Sequence, residues 1–96
     1  MKLAIIIIDE GCEPDVAEVF EELGVEHWTS WANVHGAGRT GTKQGNPIWP
    51  GLNTLYLVAL PQERLKPLVD RLIEVRDSFP MRPGLKVLSL DADVLT

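Results

Sequence analysis

The chain opens with an uninterrupted apolar run from Leu3 to Ile8, which Asp9 and Glu10 end. The run has the length of a β-strand, and its lack of polar alternation is typical of a central strand covered on both faces. It is too short for the apolar core of a signal peptide, which takes about 7–15 residues, or for a membrane span of about 20. We therefore predict a buried first strand over residues 3–8.

Two segments, residues 14–23 and 62–79, carry apolar residues at helical spacing. The apolar positions are Val16, Val19, Phe20 and Leu23 in the first, and Leu65, Leu68, Val69, Leu72 and Phe79 in the second. Such spacing predicts helices with one apolar face. Gly24 can adopt the left-handed conformation that ends the first helix. Pro67 fits only an early helical turn, so the second helix begins late or bends.

Three more segments are rich in β-branched, aromatic or aliphatic residues and predict strands over residues 25–35, 54–60 and 85–90. Trp28, Trp31 and Tyr56 fall on these strands, where we expect them to pack across a subunit interface. Residues 36–51 hold five of the eight glycines together with Pro47 and Pro50, which predicts a loop.

The resulting order, β-α-β-β-α-β, predicts an α+β fold of the ferredoxin-like sandwich type, with a four-stranded antiparallel sheet and two helices on one face. Right-handed crossovers place the first and third strands in the centre. These strands are apolar on both faces, yet the helices cover only one. We therefore expect copies of the chain to associate through the other face; the alternative is a curled sheet covered by its own long loop.

Composition narrows the class of protein. The 96 residues predict a single domain, residues 1–96, and the formal net charge of −5 argues against binding to nucleic acid or to anionic lipid. The single cysteine, Cys12, cannot form an internal disulfide, which is typical of a protein of the reducing cytoplasm. Neither a nucleophile with a base nor a pair of catalytic acids can be placed, so we expect no enzyme activity.

The predicted topology gathers the unusual residues at one edge of the sheet. There the second strand runs into Val34-His35-Gly36-Ala37-Gly38-Arg39, in which alternate glycines allow the backbone to approach a ligand closely. Arg39 can supply a planar fork of donors to a phosphate or carboxylate, and Lys43 and Lys86 can add charge. This pattern favours an anion site, although glycines that open a loop also serve simple turns.

Ile48 and Trp49 stand between Pro47 and Pro50 in the predicted loop. The two prolines lower the entropy cost of presenting a large aromatic side chain. The pair has three interpretations: an anchor for a protein partner, a lid over a bound ligand, or a cover over the core of a neighbouring subunit.

The segment Val34–Arg39 resembles the V-x-G-x-G-R segment at the base of the T-loop in the nitrogen regulatory protein PII superfamily, small trimeric signalling proteins of the ferredoxin-like fold. The start, Met1-Lys2-Leu3, and the spacing through Leu23-Gly24-Val25 are also similar, and the order of elements matches over nearly the whole chain.

The resemblance implies a homotrimer that binds a small anionic effector, in the family an adenine nucleotide, in the clefts between subunits. The ligand-binding residues that it implies are Gly36, Gly38, Arg39, Thr40 and Lys86. Its T-loop equivalent, about residues 40–53, would switch and dock on a transporter, an enzyme or a regulator. The residues expected to face such a partner are Lys43, Ile48 and Trp49.

The sequence departs from the family pattern in several places. Pro83-Gly84-Leu85-Lys86 replaces a Gly-x-Gly-Lys turn, Asp9-Glu10 replaces Lys-Pro, and the T-loop equivalent is much shorter. The family's C-terminal arginines have no counterpart among the 96 residues. The departures favour a PII-like protein other than a nitrogen sensor.

Two further functions remain open. One is an interaction module that binds no small molecule. The other is a trimer that binds a divalent metal, similar to the CutA-type proteins of the same fold, with Asp9, Cys12 and His35 as candidate ligands. His27 and His35 are too far apart on one strand to share an ion, about 26 Å at 3.3 Å per residue. More simply, Cys12 is a small residue in a turn.

Overall fold

The computed structural model describes residues 1–38, 41–43 and 52–96. Its strands are β1 (Lys2–Asp9), β2 (Thr29–Val34), β3 (Gly36–Gly38), β4 (Gly41–Lys43), β5 (Asn53–Leu60) and β6 (Leu85–Asp91). Its α-helices are α1 (Glu13–Glu22) and α2 (Leu65–Ser78), and each is preceded by a short 3-10 turn. None of the helices in these described ranges is long and apolar enough to cross a membrane.

The main sheet has four strands in the order β2-β5-β1-β6, and all neighbours are antiparallel. The two central strands, β1 and β5, are the first and third strands of the predicted βαββαβ order. The predicted ferredoxin-like arrangement is therefore confirmed.

One face of the sheet forms the hydrophobic core with both helices. Ala4, Ile6 and Ile8 of β1 are fully buried there, as are Leu68 and Leu72 of α2. The alternation follows from strand geometry, since successive side chains point to opposite faces. Both helices therefore lie on the face to which the even-numbered residues of β1 point.

The opposite face, here called the open face, is apolar and uncovered in the single chain. The register of the strands brings these side chains together on it: Leu3, Ile5, Ile7, Trp31, Leu55, Leu57, Leu88 and Leu90. Leu88 and Leu90 are 50% and 49% exposed, and Trp31 is 54% exposed. A contiguous apolar surface of this kind marks a site of association in a water-exposed protein.

The ends of the helices follow the sequence signals. Gly24 has φ 67°, and it forms a Schellman motif with α1, in which Val25 N donates to Phe20 O at 2.8 Å and Gly24 N donates to Glu21 O at 3.2 Å. Pro67 is the third residue of α2, inside the first turn, where its missing N–H costs no helical hydrogen bond. The second helix therefore begins late rather than bending.

Two predicted boundaries were wrong. The second strand was expected from residue 25 but begins at Thr29, because the backbone of Val25 is engaged in the motif that ends α1. The predicted loop over 36–51 contains a small antiparallel hairpin of β3 and β4, in which Gly36 pairs with Lys43 and Gly38 with Gly41. Such a pairing does not depend on apolar side chains, so the sequence pattern gives no sign of it.

Strand β2 contains a β-bulge. Trp31 lies opposite Leu55 and Val34 lies opposite Asn53, so three steps along β2 match two steps along β5. Asn33, inside this interval, has φ 60°. Asparagine is among the residues that tolerate this left-handed conformation. The bulge gives β2 one extra residue immediately before the hairpin.

Candidate functional site

The turn after β1 is hydrogen-bonded to the turn before β6 and to the segment before β5, the two segments expected beside it. Asp9 N donates to Gly84 O at 3.2 Å, and Glu10 N donates to Leu52 O at 2.8 Å. The Asp9 side chain accepts from Gly11 N at 2.8 Å and so caps the short turn that leads into α1. The turn before β6 and the segment before β5 therefore meet the end of β1 at one edge of the sheet, here called the loop edge.

Gly36 stands at the loop edge, where β3 begins. A Cβ atom at this position would lie 3.0 Å from Asn53 Nδ2, a tight contact that the amide would have to relieve by moving a few tenths of an ångström. The absence of a side chain thus lets the start of the hairpin approach β5. Gly38 lies at the other end of β3, opposite Gly41.

Lys86 lies on the other edge strand of the same sheet, at the far end of the strand order from β2. It occupies β6 opposite Ile7, is exposed, and shares the face of Leu88. Because β5 and β1 separate β2 from β6, three strand spacings of about 4.8 Å put about 14 Å between the two edge strands. One chain therefore does not bring Lys86 close to Gly36 and Gly38.

The other residues of the predicted anion site and partner loop lie outside the described residues. These are Arg39, Thr40, Ile48 and Trp49. The backbone of Lys43 pairs with that of Gly36 at the base of the hairpin. Roles for all of these residues stay predictions.

The three candidate metal ligands do not form a site within one chain. Cys12 is buried in the core, 1% exposed, whereas His35 is exposed between β2 and β3. Among the described residues, which include Asp9, no group of three His, Cys, Asp or Glu side chains is placed to hold a metal ion.

A polar contact ties the start of α1 to the central sheet. Thr54, on β5, is 2% exposed, and its hydroxyl donates to the carboxylate of Glu13, the first residue of α1. The bond satisfies the buried hydroxyl and holds a carboxylate at the positive end of the helix.

Tyr56 is surrounded by aromatic and acidic side chains on the helix side of the sheet. Its ring centroid lies 5.5 Å from that of Phe20 and 5.9 Å from that of Trp28, with tilted or edge-on geometry. Burial, helped by the negative charge of Glu13, raises the pKa of Tyr56 to about 12. The neutral phenol is therefore the form that the folded protein favours.

We expect the folded protein to lose stability as the pH rises from about 10 toward about 12, since the unfolded chain releases the Tyr56 proton first. Below pH 10 the contribution of Tyr56 is fully present. Tyr56 is the only tyrosine, so tyrosinate absorbance measured during alkaline titration reports this group alone. A Y56F variant, which lacks the ionisable group, should show a weaker loss over this range; an equal loss in both proteins would contradict the assignment.

The surface around Trp28 was not predicted from the sequence. Trp28 precedes β2 rather than lying on it, and its ring packs on Phe20 and Tyr56. The prediction that Tyr56 packs across subunits was therefore wrong, because Tyr56 is buried in the core of one chain. For Trp28, which is 47% exposed, it stays a prediction, and Trp31 points to the open face. The alternation of side chains along β5 could have predicted that Tyr56 points to the helices, because Thr54, Tyr56 and Val58 share one buried face.

Comparisons with known proteins agree with the resemblance seen in the sequence. A family model described as "Nitrogen regulatory protein P-II" matches residues 1–81. No curated protein sequence matches the chain significantly.

Solved structures of a protein from Thiomonas intermedia K12 share the fold. One, described as CPII, a nitrogen regulatory PII-like protein bound to ADP, AMP and bicarbonate, is 19% identical, with a TM-score of 0.71 over 93% of this chain and 84% of that one. CPII bound to ADP, AMP and acetate is 16% identical, with a TM-score of 0.70 over 97% and 88%. The apo form is 16% identical, with a TM-score of 0.65 over 93% and 87%.

Proposed function

Because this chain belongs to the nitrogen regulatory protein P-II family, we propose that it is a regulatory protein rather than an enzyme, and that it acts in the cytoplasm as a homotrimer of one domain, residues 1–96. A small anionic effector binds in the clefts between subunits. Residues 36–51 respond to the effector and are read by a protein partner, which is a transporter, an enzyme or another regulator.

The observation that carries the proposal is the open face. Its aliphatic side chains include Ile5, Leu57 and Leu88, which lie side by side in the register of three strands. Burying one such side chain stabilises an assembly by about 1.5–3 kcal/mol relative to leaving it in water. Association of three copies through this face removes the apolar surface that the helices do not cover.

The separation of the candidate ligand residues supports a cleft between copies. Gly36 follows the edge strand β2, and Lys86 lies on the opposite edge strand, β6. In a closed ring, one patch of each subunit meets a different patch of the next, and we propose that the two edge strands, β2 and β6, take part in this contact. Lys86 of one subunit then approaches Gly36, Gly38, Arg39 and Thr40 of its neighbour, and the site is incomplete in a single chain.

The effector we propose is an adenine nucleotide. The related CPII is described as bound to ADP, AMP and bicarbonate, and bicarbonate is accordingly the second anion to be tested. A guanidinium such as that of Arg39 suits either ligand, because it offers paired donors to planar or tetrahedral oxyanions.

Regulation then follows from differential binding. The effector binds one conformation of residues 36–51 more tightly, and a coupling free energy of about 1–3 kcal/mol is enough to change the affinity for the partner 5- to 150-fold. Lys43, Ile48 and Trp49 belong to this segment and present the surface that the partner contacts.

Isothermal titration calorimetry with ADP, AMP, ATP and bicarbonate tests the proposal. We expect a saturable heat with at least one adenine nucleotide, and a loss of affinity of about tenfold or more in R39A, since a charge-assisted pair of hydrogen bonds is removed. The matched control is R76A, which removes the same charge from helix α2. If no nucleotide or bicarbonate gives a heat, the protein is an interaction module that binds no such effector.

A further inference from the structure

A shallow groove of about 370 Å³ lies between α1 and the segment that leads into β2. Phe20 and Val25 give it an apolar lining, Trp28 adds an aromatic wall, and Glu21 and Glu26 add carboxylates. Because α1 runs back from the loop edge, this groove lies at the opposite end of the sheet and on its helix side. Trp28 and Glu26 also line a second shallow groove, which they share with Leu3, Leu57 and Ala59 of the opposite face.

The walls of the groove are held in place by the core. The Schellman motif at Gly24 sets the direction of the chain as it leaves α1, through the hydrogen bond from Val25 N to Phe20 O at 2.8 Å. The ring of Trp28 packs on Phe20 at 5.6 Å and on Tyr56 at 5.9 Å between centroids. Trp28 nevertheless stays 47% exposed. It is a supported aromatic surface with one part left in contact with water.

Helix α1 and the segments on either side of it are strongly acidic. Between Leu3 and Gly38 the sequence contains no Lys or Arg, and its acidic residues are Asp9, Glu10, Glu13, Asp15, Glu18, Glu21, Glu22 and Glu26. Among the described residues, Glu21 and Glu26 form no ion pair, whereas Glu22 is paired with Arg71. Arg64 approaches the Gly24 end, where its Nη2 would lie 3.3 Å from a Cβ atom on Gly24. The lining thus carries two carboxylates without an ion pair, and one guanidinium lies near its Gly24 end.

We propose that this groove docks a Lys or Arg side chain from a basic segment of a protein partner. The cation lies against the exposed face of Trp28, where the negative ring face attracts it, and it is also attracted by Glu21 and Glu26. The aliphatic stem of the side chain covers Phe20 and Val25, in the way that long basic side chains bury their methylenes. Anionic partners are repelled by the same charges.

This second surface is independent of the effector. It uses no residue of the loop edge and is separated from it by the length of α1. A partner can therefore contact the groove whether or not residues 36–51 have changed conformation. The groove supplies constant attachment, and the loop supplies the regulated contact.

The test uses the fluorescence of Trp28 in a W31F/W49F variant, where it is the only tryptophan. The probe is a blocked five-residue peptide with two arginines, and the control peptide carries neutral citrulline in their place. We expect a saturable change with the arginine peptide and at least about fivefold weaker binding of the citrulline peptide, in keeping with a desolvated cation–aromatic contact.

A matched pair of charge variants separates the groove from the general negative charge of the protein. E21Q/E26Q should weaken binding of the arginine peptide by about fivefold or more, because both neutralised groups line the groove. E18Q/D93N makes the same change in net charge outside the lining and should alter the affinity by less than about twofold.

Three results would overturn the proposal: no saturable response to the arginine peptide, equal binding of the citrulline peptide, or equal effects of the two charge variants. Emission of Trp28 that changes with protein concentration alone would also overturn it, since a second copy would then cover the groove. None of these readouts uses a nucleotide, so failure here is distinct from failure of the proposed effector binding.

Discussion

We expect the L88D variant to sediment as a single 10.7 kDa chain at micromolar concentrations, and the unaltered protein to sediment as a trimer. Leu88 lies on the open face in register with Ile5, and half of its side chain is exposed in the lone chain. A carboxylate here stays hydrated in a monomer but must be desolvated without a partner in the assembly, which costs several kcal/mol per subunit. Analytical ultracentrifugation measures the sedimenting mass of both proteins.

The control for L88D is M81D. Met81 is 86% exposed in the turn between α2 and β6, away from the open face. The same substitution at Met81 should leave the trimer intact, and circular dichroism should show that both variants keep the fold. An unaltered protein that sediments as a monomer, or an L88D protein that stays trimeric, would remove the basis for clefts between subunits.

The neighbouring isoleucines Ile5 and Ile6 should respond differently to truncation, because they point to opposite faces of β1. Ile6 is 0% exposed in the core, so I6A is expected to lower the free energy of unfolding by about 2–5 kcal/mol at any protein concentration. Ile5 depends on contact between copies for its full burial. The cost of I5A should therefore rise with protein concentration, by mass action on the assembly.

Urea denaturation of I5A, I6A and the unaltered protein at two concentrations a hundredfold apart measures this difference. At the lower concentration, I5A should cost clearly less than I6A; at the higher concentration the two costs should approach each other. A cost of I5A that does not change with concentration, while the unaltered protein is shown to associate, would mean that association uses another surface.

The central part of the fold could be predicted from the sequence because strands that are apolar on both faces and helices with one apolar face leave clear patterns. Residues 3–8 carry no polar residue, and the helix in α1 repeats at Val16, Val19 and Phe20, each of which is buried. The peripheral parts were predicted less well. Strand β2 is almost wholly exposed, so its residues carry little pattern, and its true start at Thr29 depends on how α1 ends.

The role of the candidate site stays a prediction, and its arrangement could not be predicted. The glycines before Arg39 were expected to let the backbone approach a ligand, whereas the approach that the structure describes is that of Gly36 to Asn53. Lys86 lies on β6, the edge strand farthest from β2, and this position follows from the strand order rather than from the local sequence. The groove beside Trp28 could not be predicted at all, since it depends on how the chain turns after α1 to pack Trp28 on Phe20, and on the contact of Trp28 with Tyr56, which is distant in the chain.

The bulge in β2 lets two residues three positions apart point to the same face of the sheet. Trp31 and Val34 are three positions apart, yet both lie opposite odd-numbered residues of β5. In a regular strand, residues three positions apart point to opposite faces, so the extra residue shifts the alternation of β2 by one position. Deleting Asn33 would restore a continuous ladder in which Val34 still lies opposite Asn53. The inserted residue therefore adds length to β2 just before Gly36, while Trp31 and Val34 keep the same face of the sheet.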